Sequence, residues 1–276
     1  MAALLALTGG LMWGVGDFFG GLASRRIAVI TVVVVSQAIG LAGLLVWVAA
    51  TRDPFPGVPE LLPAAGAGVA VLAGVTAFYR GLAIGAMGIV APITAAGPVV
   101  PLAVDAAHGT TPTSLQWLGI ACILLGVATL SWEGAHGQTR LASGAGLAIF
   151  AALGFGLYFV GIDAGADESA SWAVVAARLT AVSLGAVVAL ASSRSLRAPR
   201  NLLPMLVAVG LIDTAANVLV AAATTYGAAG IVAVLSSLYP IVTMVLAWVV
   251  VGERLGATKR AGGVIAVAGA AFVAAG

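Results

Sequence analysis

Apolar residues run through this chain in long blocks, separated by short polar or Gly/Pro-rich breaks. A helix that crosses a bilayer needs about 20 mostly apolar residues. By that measure the blocks predict spans at 3–22, 27–50, 61–83, 88–107, 115–132, 144–163, 170–192, 202–226, 230–251 and 259–275. The tightest breaks are 83–88, marked by Gly85 and Gly88, and 226–230, marked by Gly227 and Gly230. If either break were not a turn, two spans would merge.

Two of these blocks contain prolines where a spanning helix would not tolerate them. Gly88-Ile89-Val90-Ala91 leads to Pro92, Thr94, Pro98 and Pro101, and Gly230-Ile231-Val232-Ala233 leads to Ser236, Tyr239 and Pro240. Pro98 and Pro240 stand 142 residues apart, as do Thr94 and Ser236. A proline removes a backbone donor and crowds the preceding turn. At membrane depth such a break survives only where protein buries it or a wet cavity solvates it. Breaks at corresponding places in two halves point to a substrate site.

The halves correspond elsewhere too. Trp13-Gly14-Val15-Gly16-Asp17-Phe18-Phe19 matches Leu153-Gly154-Phe155-Gly156-Leu157-Tyr158-Phe159, and Val35-Ser36-Gln37 lies opposite Ala176-Ala177-Arg178. Matches in one order at offsets of 140 to 142 predict a duplicated unit. Five spans per unit is an odd number, so the second unit enters the membrane upside down. The expected fold is all-α and integral to the membrane. Ten transmembrane helices form two inverted five-helix repeats, 1–132 and 144–276, joined by a connecting loop at 133–143. Small residues four apart, such as Gly16 with Gly20 and Gly81 with Gly85, would let helices approach closely.

Composition agrees with the patterning. Of 276 residues, 62% are hydrophobic and 8% charged, with mean hydropathy +1.15. Soluble domains carry roughly 25% charged residues, so lipid is the main solvent for this surface. Net charge is +2, and the basic residues are scattered through short connections, which gives no footprint for nucleic acid. Cys122 is the single cysteine, so no internal disulfide can form. No Lys or Arg precedes the first apolar block, and Met1–Leu11 is expected to be a retained span rather than a leader.

Charge bias sets an expected orientation. Arg25, Arg26, Arg80, Arg140, Arg194, Arg197, Arg200, Arg254, Lys259 and Arg260 fall at the odd-numbered connections, and only Arg52 at the even ones. The positive-inside rule places the odd connections in the cytoplasm and both termini outside it.

Ionisable groups at bilayer depth cost about 2.5–3.5 kcal/mol each, and they usually mark a pathway or a partner. Asp17, Arg178 and Asp213 qualify, whereas Arg80, Asp105 and Asp163 are close enough to span ends to reach the interface. Asp213 and Asn217 share a helix face. They suit a substrate ammonium or a proton relay. The alternative is a structural Asp213–Arg178 pair that ties the seventh and eighth spans together. Asp17 would either meet substrate or pair with Arg25 or Arg26. Trp13, Tyr79, Tyr158, Trp172, Tyr226 and Tyr239 can stack on an apolar solute, although the interfacial belt claims Trp47, Trp117, Trp132 and Trp172. Tyr239, with Ser236 before it, is the aromatic expected at the cavity. The candidate substrate-binding set is Trp13, Asp17, Tyr79, Thr94, Arg178, Asp213, Asn217, Ser236 and Tyr239. His108 and His136 fall in connections without a second ligand at metal spacing, and no phosphate loop is present. No metal, cofactor or catalytic role is therefore expected.

This organisation resembles the drug/metabolite transporter superfamily, EamA type, over residues 3–131 and 144–275. The most specific stretch is Leu246-Ala247-Trp248-Val249-Val250-Val251-Gly252-Glu253-Arg254-Leu255, which is similar to the family's exit from the fourth span of a repeat. The first half departs from it, with Thr110-Thr111 where the Gly-Glu pair would fall. The resemblance implies an inner-membrane carrier, commonly an exporter of amino acids or other small amphipathic metabolites. It also implies a basket with a central cavity lined by the first, third and fourth spans of each half. Proton-linked and facilitative members both exist, and both termini are more often inside. The expected partners are thus a small-molecule substrate, the lipid bilayer and protons as a coupling ion. Alternatives are a flippase for lipids or lipid-linked sugars, or an intramembrane transferase built on Asp163, Asp167 and Glu168.

Overall fold

A computed structural model describes residues 1–24, 26–84, 94, 96–131, 141–192, 196–251 and 256–276. Among the described residues every regular element is a helix. In chain order they are α1 (Ala2–Ser24), α2 (Val29–Thr51), α3 (Val58–Ile84), α4 (Val99–Ala107), α5 (Ser114–Ser131), α6 (Leu141–Ala166), α7 (Ala170–Ala191), α8 (Leu203–Thr224), α9 (Ala229–Ser236), α10 (Tyr239–Leu246), a π-helical turn at Ala247–Val251, and α11 (Ala257–Ala275). Six of them are long and apolar enough to cross a membrane: α1, α2, α3, α6, α7 and α8. Segments Ser114–Thr129 and Arg260–Ala275 are shorter apolar helices. Only 33–39% of each long span is buried inside the protein, so most of its apolar surface faces outward, as lipid solvation requires.

Both prolines at the anticipated breaks sit at helix interruptions. Ala96–Pro98 form a turn, in which Gly97 N donates to Thr94 O at 3.1 Å, and α4 starts after Pro98. Ser237 and Leu238 form the second turn, and α10 starts at Tyr239, next to Pro240. Pro240 has no N–H, so the carbonyl of Ser236 loses its helical donor. Residues 88–93 and 95 of the first motif lie outside the described residues. So do Gly85, Trp132, the connecting residues 133–140 with His136, and the Gly252–Leu255 exit.

Close packing follows glycine. At the crossing of α2 and α8, a Cβ on Gly40 would strike Thr214 and the carbonyl of Gly210, so the two backbones approach closely only because both positions lack side chains. Gly119 of α5 lies on Gly269 of α11 in the same way. Further contacts place α1 on α8, α3 on α6, α3 on α7, α2 on α7 and α1 on α9 and α10. The core under these crossings contains Ala6, Ile123, Ile162, Leu206, Val220, Val232 and Leu235, all fully buried.

One end of the helix array gathers acidic side chains. Asp53, after α2, accepts from Ser169 Oγ at 2.7 Å, and its carbonyl accepts from Trp172 Nε1 at 3.1 Å. Asp105, set apart in the sequence as an interfacial group, has a specific structural task. Its Oδ2 accepts from Gly230 N at 2.6 Å, where a carboxylate satisfies a free donor at the start of α9. Asp163 lies near Thr224, Asp105 and Asp167.

Candidate functional site

Five helices each bring a polar side chain to one place at mid-depth. Arg178, about two turns into α7, is 5% exposed, and its Nη2 lies 2.6 Å from Asp213 Oδ2 on α8. Arg178 Nη1 donates to Gln37 Oε1 on α2, and Gln37 Nε2 donates back to Asp213 Oδ2 at 3.3 Å. Asn217, one turn beyond Asp213, donates through Nδ2 to the Asp213 carbonyl at 2.6 Å and toward its Oδ1 at 3.4 Å. The Tyr158 hydroxyl on α6 donates to Asn217 Oδ1. Gln37, Arg178, Asp213, Asn217 and Tyr158 thus form one continuous network. In a low-dielectric interior each bond is strong, and each unpaired member is costly. Inside the network Arg178 Nε and Thr214 Oγ1 are buried without a hydrogen-bond partner among the described residues.

Asp17 completes the site from α1. Gly16 lets α1 approach α8 until its missing Cβ would lie 3.8 Å from Asp213 Cβ, and the Asp17 carboxyl feels the Asp213 charge. Asp17 shares a helix face with Gly10 and Gly14. That face is packed on Ser236 at Gly10, and on Tyr239 and Val242 at Gly14. One turn further it opens: Asp17 is exposed, and nothing lies within 4 Å of a Cβ built on Gly21. Exposure then falls with depth, from Asp17 through Asp213 at 25% to Arg178 at 5%. The opening faces the end where α1 finishes, opposite the acidic end.

Aromatic rings border this approach. Trp13, one turn before Asp17, meets Phe159 edge-on with centroids 6.1 Å apart, and Phe159 meets Tyr158 at 5.9 Å. Phe18 and Phe19 form their own T-shaped pair at 5.4 Å.

Of the residues expected from sequence, Trp13, Asp17, Arg178, Asp213 and Asn217 are brought together. Asp213 is beside Asn217 and paired with Arg178, which is the structural alternative read from sequence. Asp17 lies by Asp213, and among the described residues it forms no hydrogen bond or ion pair. Ser236 is fully buried and donates to the Ala6 carbonyl at 3.3 Å, which makes it a packing contact between α9 and α1. Thr94 is also buried, and Tyr239 is partly buried with its carbonyl against Gly14. The side chain of Tyr79 lies outside the described residues. Gln37 and Tyr158 were not in the candidate substrate-binding set, although Tyr158 was among the aromatics able to stack on a solute. The available signal for Gln37 was its place opposite Arg178 in the internal match. For Tyr158 it was a phenol at a depth where its hydroxyl needs a partner.

At the acidic end a separate cavity of about 300 Å³ is bordered by Ala2, Asp105, Thr110, Gln116, Gly227 and Val273, and it includes none of the network.

An all-helical, multi-pass membrane protein with a polar cluster buried among its spans belongs to the architecture of membrane transporters. The EamA-like transporter family matches residues 1–132 and 142–275, and the chain belongs to that family. Membership carries with it the drug/metabolite transporter superfamily. A solved crystal structure superposes with TM-score 0.80 at 18% identity, covering 98% of this chain and 95% of that one, a likeness of fold alone. No curated protein matches the chain.

Proposed function

We propose that this protein is a secondary carrier, exporting a small amphipathic metabolite such as an amino acid or related compound by alternating access. Its site is built on Asp17, Arg178, Asp213 and Asn217, with Trp13 and Tyr239 beside it. Protons are the coupling ion. The observation that carries the proposal is the four-helix polar network, with Asp17 beside it on a fifth helix, reached among the described residues from one end of the bundle. Asp17 is exposed on an otherwise packed helix face, while the acidic end is tied shut through Asp53, Ser169 and Trp172. A carrier caught open to one side would have this asymmetry.

Two inverted five-helix repeats, 1–132 and 144–276, making ten spans, underlie the mechanism. Support comes from contacts that exchange under a shift of 141 to 143 positions along the chain. Gly14 lies on Tyr239 and Val242, and Gly156, 142 positions later, lies on Gly97 and Val100. Gly68 lies on Ala177, and Gly210 lies on Ser36. Gly119 meets Gly269, and Gly126 meets Gly262. A two-fold axis in the membrane plane would generate such pairs. The same halves would then rock to open either end. By the basic bias the open end faces the cytoplasm of an inner membrane, with both termini on the other side.

Purified protein in liposomes, loaded with individual amino acids and amines, should accelerate the efflux of at least one of them. The flux should respond to an imposed pH gradient. Scrambling of fluorescent lipid with no solute flux would favour the flippase reading instead.

A further inference from the structure

At the acidic end the two interrupted spans meet. α4 follows the interruption at Pro98, and α9 precedes the one at Pro240. A Cβ on Gly230 would lie 2.7 Å from the backbone nitrogen and Cα of Leu102, so the start of α9 rests on the backbone of α4. Three residues after Leu102, Asp105 Oδ2 accepts from Gly230 N at 2.6 Å. The Asp105 carbonyl accepts from His108 N at 3.1 Å and Thr110 N at 2.9 Å, which fixes the end of α4 beneath that side chain. Two features set this contact apart from ordinary packing. First, α9 has no cap of its own. Its N-cap position is Ala228, where a helix usually carries Ser, Thr, Asp or Asn, so the carboxylate that serves its first turn comes from 125 residues away in the chain. Second, the sequence supplies that carboxylate at one end only. The offset of 142 that carries Pro98 to Pro240 carries Asp105 to Ala247, at the start of the π-helical turn.

Building on the carrier reading, we infer that Asp105 is a one-sided latch. It caps α9 while the acidic end is closed and releases it when that end opens, so the form open at the Asp17 end is the resting form. Opening the acidic end separates α4 from α9. The first-turn donors of α9 then face water instead of a carboxylate held at the positive end of the helix. At the other end Ala247 offers no such bond, so the two openings are unequal in cost. Asp53 and Ser169 tie the same acidic end between α2 and α7, whereas Asp105 ties the interrupted spans themselves. The cavity of about 300 Å³ borders Asp105, Gly227, Ala228 and Ile231, so free volume lies directly against the latch and gives its side chain room to leave Gly230.

The test separates a latch, which acts between helices, from a plain cap, which acts within one. In a Cys122→Ser background of the full chain in liposomes, Gly21→Cys reports the Asp17 end and Phe159→Cys the acidic end to a membrane-impermeant maleimide, with no substrate needed. Asp105→Ala should raise labelling of Phe159→Cys from the acidic side about tenfold, the scale of one lost charge-assisted hydrogen bond, and lower labelling of Gly21→Cys. Ala228→Ser gives α9 a local cap. Asp105→Ala/Ala228→Ser should therefore melt like the parent protein and still keep the altered labelling. Labelling unmoved by Asp105→Ala, or returned to the parent pattern by Ala228→Ser, overturns the inference. If Asp105→Ala alone does not fold, the double variant carries the same comparison with the parent. Labelling decides the latch, and liposome flux decides the carrier. Amino-acid or amine flux with unmoved labelling removes only the latch, and no flux of any of them removes the carrier reading itself.

Discussion

Arg178 donates a hydrogen bond to Gln37, the residue 141 positions before it and its counterpart in the internal match between the two halves of the chain. In the proposed arrangement of two inverted copies, a residue that touches its own counterpart would lie on the axis relating them. The two matched residues differ in kind. One half supplies an amide and the other a guanidinium, and Asp213 joins them through a single carboxylate oxygen. The contact thus joins an amide to a charged pair, Arg178 and Asp213, at one point among the helices.

Breaking that pair should cost more than removing it. Arg178→Leu strands the Asp213 carboxylate and should lower stability by about 3 kcal/mol, the low end for a broken buried pair because Asp213 is partly exposed. The double variant Arg178→Leu/Asp213→Leu should recover most of that stability but none of the transport. Thermal melting in detergent, run beside liposome flux, separates these effects. A double variant no more stable than Arg178→Leu would mean the pair is not what holds α7 to α8.

Much of this arrangement is legible in the sequence, and the rest is not, for identifiable reasons. Apolar blocks locate the helices because lipid imposes one length and one polarity on every span. Pro98 and Pro240 locate the interruptions because the missing N–H acts locally, whatever the surroundings. Asp213 and Asn217 could be placed together because four residues make one helical turn. Gln37 and Tyr158 could not, since their partners lie on α7 and α8, and no local rule connects a glutamine to an arginine 141 residues away. Ser236 illustrates the reverse failure. A hydroxyl at a helix break suggests a cavity lining, yet a serine can also satisfy itself on a neighbouring carbonyl, and here it does so on Ala6.

Asp213→Asn preserves shape and removes charge. It leaves Arg178 buried without its counter-ion, so substrate flux should fall at least about tenfold, in line with the 2–5 kcal/mol of such truncations. The pH dependence of flux should change with it. Normal expression with unaltered flux and pH profile would exclude Asp213 from the transport site.

Tyr158→Phe deletes one hydroxyl from the network and nothing else. Asn217 Oδ1 then loses the donor it accepts from, at a cost of about 1–3 kcal/mol for a buried group left unsatisfied. Tyr158→Phe/Asn217→Leu should cost less than the sum of the two single changes, because the orphaned acceptor is gone. Melting temperatures of the four proteins in this cycle measure the coupling, and additive losses would mean the hydroxyl is satisfied elsewhere.

The unequal ends of the bundle make a prediction about reagents rather than energies. In a Cys122→Ser background, Gly21→Cys places a thiol where no atom lies within 4 Å of the new Cβ, beside the exposed Asp17. Phe159→Cys places one on α6 142 positions after Asp17, the spacing between Gly14 and Gly156, where the native side chain is 8% exposed and packed on Trp13 and Tyr158. A membrane-impermeant maleimide should label Gly21→Cys quickly and from one side of the membrane only, with Phe159→Cys nearly inert. If the halves rock, loosening the acidic end by Asp53→Ala, which removes the carboxylate held by Ser169, should slow labelling at 21 and expose 159 from the opposite side. Labelling of both thiols from the same side, in either background, is incompatible with two alternating openings, since that requires each position to report a different face.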